Sequence, residues 1–338
     1  MDKLAQVFLI AEIGQAHEGS LGILHSYIDA VSKTGVDAIK FQTHIAEAES
    51  SFAEPFRVNF SYEDKTRYDY WERMSFTAEQ WFGIKQHCDG VGLEFISSPF
   101  SIAAVELLEK LAVKRYKIGS GEVSNYLMLE RIAQTGKPII ISSGMSSFEE
   151  LQRTVSFLKP FDNELSILQC TTSYPTTPIN TGLNVISELK KKFPEHTIGF
   201  SDHSATIYPG IAAVTLGAEI LEFHVVFDKE MFGPDSTSSL TISETMELVK
   251  GVRFIEKALL NPVDKQDNSA FKDLKQIFEK SLAVNKDLPE GHTLSIADLE
   301  SKKPANMGID ASDYSSVIGK KLTKKKSKYD FLNLSDLA

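Results

Sequence analysis

Cysteine is nearly absent from this chain of 338 residues: Cys88 and Cys170 are the two present, far apart and each inside an apolar patterned segment. That excludes a disulfide framework and points to buried free thiols in a reducing compartment. Positive charge is not in excess either. With 36 Lys and Arg against 46 Asp and Glu, the net charge is −10, which argues against nucleic acid or a membrane surface as the main partner. No apolar run is long enough to cross a bilayer, and Met1-Asp2-Lys3 leads toward a strand with no basic leader or cleavage site. Internal repeats and low-complexity stretches are also missing. The expectation is a soluble, cytoplasmic protein.

Present instead is an alternation. The chain is 42% hydrophobic, enough to bury a large core with room for a second, smaller domain. From Val7 to about Leu260, short apolar runs alternate with segments of helical period. The predicted strands are Val7–Ala11, Ala38–Phe41, Glu94–Ile96, Lys114–Ile118, Pro138–Ser142, Leu165–Gln169, Thr197–Phe200 and Glu219–Phe223. Each is followed by a helical stretch, the last of them Ser243–Leu260. Eight such units over about 250 residues predict an α/β fold, a (β/α)₈ TIM barrel. An open doubly wound sheet is the runner-up, but its Gly-rich phosphate fingerprint is absent. The connection 45–76 is long and rich in aromatic and charged residues, and reads equally as a lid or as a subunit contact. The predicted organisation is a barrel over 1–261, a polar linker over 262–277, and a small β-rich domain over 278–338. The lysine run Lys320 to Lys328 reads as a solvated face of that last domain.

In such a barrel, polar residues at the C-terminal strand ends converge on one site. His203, in Ser201-Asp202-His203-Ser204, and His224, in Glu222-Phe223-His224, lie at or just past two neighbouring strand ends. Two imidazoles there can hold a divalent metal and leave positions open for water or substrate. The other strand ends carry Glu12, Lys40 and Gln42, Ser97 and Ser98, Lys117 with the loop Gly119-Ser120-Gly121-Glu122, Ser142-Ser143-Gly144, and Thr171-Thr172-Ser173-Tyr174-Pro175. Taken singly, each of these has an ordinary structural role open to it: a serine bonds backbone, a lysine snorkels, a glutamate caps a helix. Together, two lysines, several hydroxyls and Gly-rich turns suit a substrate bearing phosphate or carboxylate. Beside a metal that polarises a carbonyl, they suit a condensation.

These motifs resemble the sialic acid (N-acetylneuraminate or, more broadly, nonulosonic acid) synthases. The matching stretches are Ile10-Ala11-Glu12-Ile13-Gly14, Lys40-Phe41-Gln42-Thr43, Ser97-Ser98-Pro99-Phe100, Tyr116-Lys117-Ile118-Gly119-Ser120-Gly121-Glu122, Ser143-Gly144-Met145, Tyr174-Pro175-Thr176, Ser201-Asp202-His203-Ser204 and Gly233-Pro234-Asp235. They run over nearly the whole chain, in order, and the C-terminal piece resembles the antifreeze-like (SAF) domain of those enzymes. The resemblance implies a transferase that condenses phosphoenolpyruvate with an N-acyl amino sugar, either N-acetylmannosamine or a 2,4-diacetamido-6-deoxy hexose. It implies that His203 and His224 bind Mn²⁺, with Mg²⁺ or Co²⁺ as alternatives. Lys40, Ser98, Lys117, Ser120 and Ser143 then hold the donor, with Thr172 and Tyr174 in the same pocket. Gln42, Glu122 and Asp235 contact the sugar, and Glu12 stands near the metal and its water. Glu12, Glu122 and Lys117 are the catalytic candidates. A domain-swapped homodimer is implied as well. One departure bears on the acceptor: Lys303 stands where the resemblance calls for an arginine that recognises the N-acyl group, and lysine cannot reproduce a bidentate planar contact. Two other readings stay open, a Schiff-base lyase or aldolase using Lys117, and a non-catalytic homologue acting as a binding protein.

Overall fold

In a strand, side chains alternate between two faces, and that period sorts nearly every residue of the barrel. The computed structural model describes residues 6–58 and 60–338. Met1 to Ala5, expected to lead directly into the first strand, lie outside the described residues. Eight parallel strands, β1 (Phe8–Glu12), β2 (Ala38–Thr43), β3 (Glu94–Pro99), β4 (Tyr116–Ile118), β5 (Ile139–Ser142), β6 (Leu165–Cys170), β7 (Thr197–Asp202) and β8 (Ile220–Val226), run in the order β3-β2-β1-β8-β7-β6-β5-β4. Strand β1 pairs with both β2 and β8, so the sheet curls nearly shut, with short β4 facing β3 at the seam. This is the expected TIM barrel.

The helices that follow are α1 (Leu21–Val31) after β1, then α2 (Ala46–Glu49), α3 (Arg67–Met74) and α4 (Ala78–Gly90) after β2. Further along come α5 (Ile102–Lys110), α6 (Tyr126–Ala133), α7 (Phe148–Leu158), α8 (Leu183–Lys192), α9 (Tyr208–Thr215) and α10 (Ile242–Leu260). None is long and apolar enough to cross a membrane. Capping residues sit where sequence rules place them: Thr77, Ser147 and Thr241 each close a reciprocal capping box.

Outward strand positions such as Leu9, Ile39, Phe41, Phe95, Tyr116, Ile141 and Phe223 join the helices in one continuous core. Inward positions form a separate plug of Ile10, Ala38, Ile96, Ile140, Leu168 and Ile220. The barrel is too tight there for any other inward side chain on β7. A Cβ on Gly199 would lie 2.3 Å from Leu168 Cδ2 and 2.5 Å from the Ile220 carbonyl oxygen, so this position takes only glycine. Two residues further along each strand, the same inward face turns polar and becomes the floor of the site.

The chain divides into two compact units, residues 1–261 and 262–338. In the second, β9 (Ser281–Val284) pairs antiparallel with β10 (Leu299–Lys302) over a small core that includes Leu282, Val284, Leu294, Val317 and Leu332. Two expectations need correcting here. The stretch 262–277 is not simply a linker: it carries a helical turn at Ser269–Phe271 and α11 (Lys272–Phe278), and the Gln276 carbonyl accepts from the Ala305 amide at 3.0 Å. Its Asp, Asn and Ser content masks the spacing of Phe271, Leu274 and Ile277, which is helical. Nor is the lysine run wholly solvated. Lys326 is buried, pairing with fully buried Asp336 and donating to the Phe331 carbonyl at 2.8 Å.

Candidate active site

Directly above the apolar plug lie four charged side chains, Glu12, Lys40, Lys117 and Glu222, all buried. Alternation puts them there: Glu12 follows Ile10, Lys40 follows Ala38, and Glu222 follows Ile220, each two residues on. The Lys40 ammonium is 2.5 Å from Glu12 Oε1 and 4.0 Å from Glu222 Oε2. Lys117 Nζ is 3.0 Å from Glu222 Oε1, which also accepts from the Ser201 hydroxyl at 3.0 Å. Burial alone would push the Glu12 carboxyl up, but Lys40, His224 and Lys117 together hold it well below the usual carboxylate range. Burial opposes charge on Lys40 as well, and Glu12 and Glu222 overcome it and raise the ammonium. Lys40 also reaches the Ser98 hydroxyl at 3.5 Å. Glu222 Oε2 and the Ser142 hydroxyl have no hydrogen-bond partner in this layer. Two buried acceptors without donors, beside two lysines, mark a place where water or a ligand belongs.

His203 follows the end of β7, whereas His224 lies inside β8, which runs on to Val226. The two rings stand 5.2 Å apart between centroids. His203 Nδ1 donates to the Thr171 carbonyl at 3.0 Å, so its Nε2 is bare in the neutral ring. His224 Nε2 lies 3.3 Å from Glu12 Oε2, and that carboxylate fixes its tautomer. A backbone carbonyl on one imidazole and a carboxylate on the other are the outer partners that metal-ligating histidines use. Among the described residues, no cluster of three or more His, Cys, Asp or Glu side chains is arranged to hold a metal. An ion held by this pair alone would need its remaining positions filled from water or substrate. Tyr174 stacks on His203 at 4.3 Å and meets His224 edge-on at 6.1 Å.

Next to the lysines is a small cradle. The Gly144 amide donates to the Ser120 hydroxyl at 3.1 Å, and the Ser120 hydroxyl lies 3.8 Å from the Cys170 sulfur. Ser143 contributes less, since its hydroxyl donates to the Leu168 carbonyl at 3.0 Å. A Cβ on Gly144 would sit 2.5 Å from Thr172 Oγ1 and 2.8 Å from Ser120 Oγ. Gly144→Ala is therefore expected to push the cradle hydroxyls apart. The expected result is a donor KM raised about tenfold, at about 1–3 kcal/mol of stability, read from donor saturation curves and denaturant midpoints. An unchanged donor KM would take the cradle out of donor binding.

Over this floor opens a cavity of about 410 Å³, with Gln42, Ser120, Glu122, Thr172, Tyr174 and Asp235 in its wall. Gln42 donates to Glu12 at 2.8 Å, joining wall to floor. Glu122, in the turn Ser120–Glu122, is bonded by Asn125 at 2.8 Å and raised by burial. The 45–76 connection supplies the far side through Glu49, Glu54, Arg57, Phe60, Arg67, Tyr70 and Trp71. Within its own chain this segment is a lid over the barrel mouth. It has its own small core of Ala46, Tyr70, Trp71 and Met74, and Arg73 ties it to Glu18 of the β1 loop at 3.0 Å. His17, in that same loop, is structural: burial lowers it to about 3, and its Nδ1 accepts from the Gly19 amide. Lys303 lies in the second unit, exposed, with its ammonium 4.8 Å from the Phe278 ring. Sequence reasoning missed Glu222 and Arg57. For Glu222 a signal existed, two residues before His224 and two after Ile220 on one strand face. For Arg57, inside an irregular loop, there was none.

A model of the NeuB family matches residues 27–264. The N-acetylneuraminate-9-phosphate synthase of Homo sapiens is 35% identical over 318 residues, covering 93% of this chain and 88% of that protein. The N,N'-diacetyllegionaminic acid synthase of Campylobacter jejuni is 32% identical over 327 residues, covering 95% and 97%. Among solved structures, the N-acetylneuraminic acid (sialic acid) synthetase of Leptospira borgpetersenii, in complex with citrate, is similar with a TM-score of 0.70 and 30% identity. That match covers 80% of this chain and 90% of the other.

Proposed function

The chain belongs to the NeuB family, and from that premise we propose that it condenses phosphoenolpyruvate with an N-acyl hexosamine to give a nonulosonic acid and phosphate. The observation that carries the reading is the buried pair Lys40 and Lys117, 4.0 Å and 3.0 Å from Glu222, joined through Glu12 and Gln42 to the wall of a cavity of about 410 Å³. The lysines are point charges for the donor's phosphate and carboxylate. Ser98, Ser120 and Thr172 complete its shell with hydroxyls, that of Ser120 oriented by the Gly144 amide. Glu12 and Glu222 already balance both lysines, so an incoming polyanion needs further positive charge nearby. His203 and His224 are the residues that would hold a divalent ion, Mn²⁺ in this reading, whose chemistry is to polarise a carbonyl oxygen.

The acceptor lies in the cavity against Gln42, Glu122 and Asp235. Donor C3 forms the new carbon–carbon bond to the aldehyde carbon, and the aldehyde oxygen takes a proton. Water then adds at C2, and the C2–O bond to phosphate breaks, leaving a ketone. Glu12 and Glu122 are the carboxylates positioned for these proton transfers, one in the floor and one in the wall. The lid keeps bulk water from competing. A homodimer, an antifreeze-like character for the second unit and a cytoplasmic location belong to the same reading. A Schiff-base lyase would need the Lys117 amine free, whereas Glu222 holds it as an ion-pair partner.

The test is phosphate release from phosphoenolpyruvate by metal-stripped protein, with and without Mn²⁺. N-acetylmannosamine and a 2,4-diacetamido-6-deoxy hexose serve as acceptors. Metal-dependent release with either sugar is the expected result. Silence with both, or borohydride trapping of pyruvate on Lys117, would overturn the reading.

A further inference from the structure

The lid reaches across the cavity through one side chain. Arg57 pairs its NH2 group with Asp235 Oδ1 at 2.7 Å, and its guanidinium lies 4.2 Å from the centre of the Tyr174 ring. Tyr174 rests in turn on His203. A column thus runs from the lid, through an aromatic ring, to the histidine pair. A guanidinium has five donors in a planar fork. One is committed to Asp235, and among the described residues no other acceptor bonds the half-exposed remainder.

The charges of the wall say what those donors can read. Arg57 is matched by Asp235, and Arg67 lies 3.4 Å from Glu54. Glu49 is matched by His44, and Glu122 is held by Asn125 rather than by a cation. Carboxylates therefore outnumber guanidiniums, and the wall has no surplus positive charge for an anionic group on the acceptor. We propose that Arg57 is the specificity-determining residue of the acceptor cavity, its fork reading an uncharged oxygen of the sugar, the N-acyl carbonyl or a hydroxyl. An unphosphorylated acceptor is the class that fits. Asp235, released in part from Arg57 when the sugar enters, accepts from a sugar hydroxyl. Closing of the lid is then linked to presence of the acceptor.

This rests on the synthase reading, so binding and turnover are measured separately. Trp71 lies in the cavity wall, and its fluorescence reports sugar binding to the full-length protein with Mn²⁺ present. The probes are N-acetylmannosamine, its 6-phosphate and the 2,4-diacetamido-6-deoxy hexose. Arg57→Ala is expected to weaken binding of the preferred neutral sugar about tenfold or more. Arg57→Lys should restore little of it, and the phosphoenolpyruvate KM should stay within about twofold. The wild type should prefer a neutral sugar to the 6-phosphate. Preference for the 6-phosphate, unchanged binding in Arg57→Ala, or failure of the wild type to bind either neutral sugar would overturn the proposal. Arg57-dependent binding with no phosphate release would support it while removing the synthase reading; phosphate release untouched by Arg57→Ala would do the reverse.

Discussion

Glu222→Ala is expected to destabilise the barrel by about 3–5 kcal/mol, because it leaves the buried Lys117 without its carboxylate, while Lys40 keeps Glu12. Glu222 is 2% exposed, and its two oxygens face Lys117 and Lys40 from the centre of the polar layer. Water cannot solvate the stranded Lys117 ammonium there as it would at the surface, so the full penalty of a buried unpaired charge applies. Glu222→Gln keeps the shape and the bond from Ser201 while removing the charge, which separates packing from electrostatics. Denaturant unfolding of both variants against wild type checks the size of the loss. A second readout tests what the lysines are for. If the donor's phosphate and carboxylate dock on them, phosphoenolpyruvate should raise the unfolding midpoint of Glu222→Gln more than that of the wild type, since the anion fills a vacated charge and binding stabilises by mass action. Midpoints unchanged by either substitution would mean that Glu222 does not organise the layer. A smaller gain from phosphoenolpyruvate in the variant would mean that the carboxylate, not the lysines, governs donor affinity.

Most of the barrel was legible because period-two and period-3.6 patterns are written by burial, and burial dominates here. Helix α10 spans Ile242–Leu260 against the predicted Ser243–Leu260, and the strands differ from their predicted limits mostly by one or two residues. The longest extensions fall at C-terminal ends, where β2, β3 and β7 run on into polar residues and β8 runs on through His224. A strand that lines a site carries Gln42, Ser98 or Asp202 instead of apolar residues, so the hydrophobic pattern stops before the hydrogen bonds do. Site residues on strands were equally legible, because a polar residue inside an apolar run is conspicuous: Lys40 and Lys117 are examples. Residues delivered by irregular chain were not. Arg57 meets Asp235 across 178 positions of sequence, and no local rule places it there. Helix α3 was hidden for a related reason. Its capping box at Thr66 and Asp69 is plain, but its few apolar residues pack mainly against the lid's own aromatics and not the barrel. The second unit conceals Asp336 in the same way, as an acid that looks solvated until the fold brings Lys326 to it.

His203→Ala is expected to lower kcat by about three orders of magnitude, the scale of losing a carbonyl-polarising ion worth several kcal/mol. The fold should survive. The ring stands above the apolar plug, and its one strong bond, Nδ1 to the Thr171 carbonyl at 3.0 Å, is worth about 1 kcal/mol. Donor affinity should fall far less than turnover, because Lys40 and Lys117 stay paired in the floor whether or not the imidazole is present. His224→Ala should behave alike in turnover but cost more stability, since it also removes the Nε2 contact to Glu12 at 3.3 Å. The double variant decides between a shared ion and two independent roles. Side chains that serve one bound group are strongly non-additive, so the double variant should be scarcely slower than either single one. Metal content by atomic emission should fall in all three, and excess Mn²⁺ should partly restore the single variants only. Full turnover and full metal content in His203→Ala would remove the histidine pair from catalysis. Additive losses with metal retained would assign each imidazole its own task on the substrate, leaving the lysine layer and the cavity as the working parts.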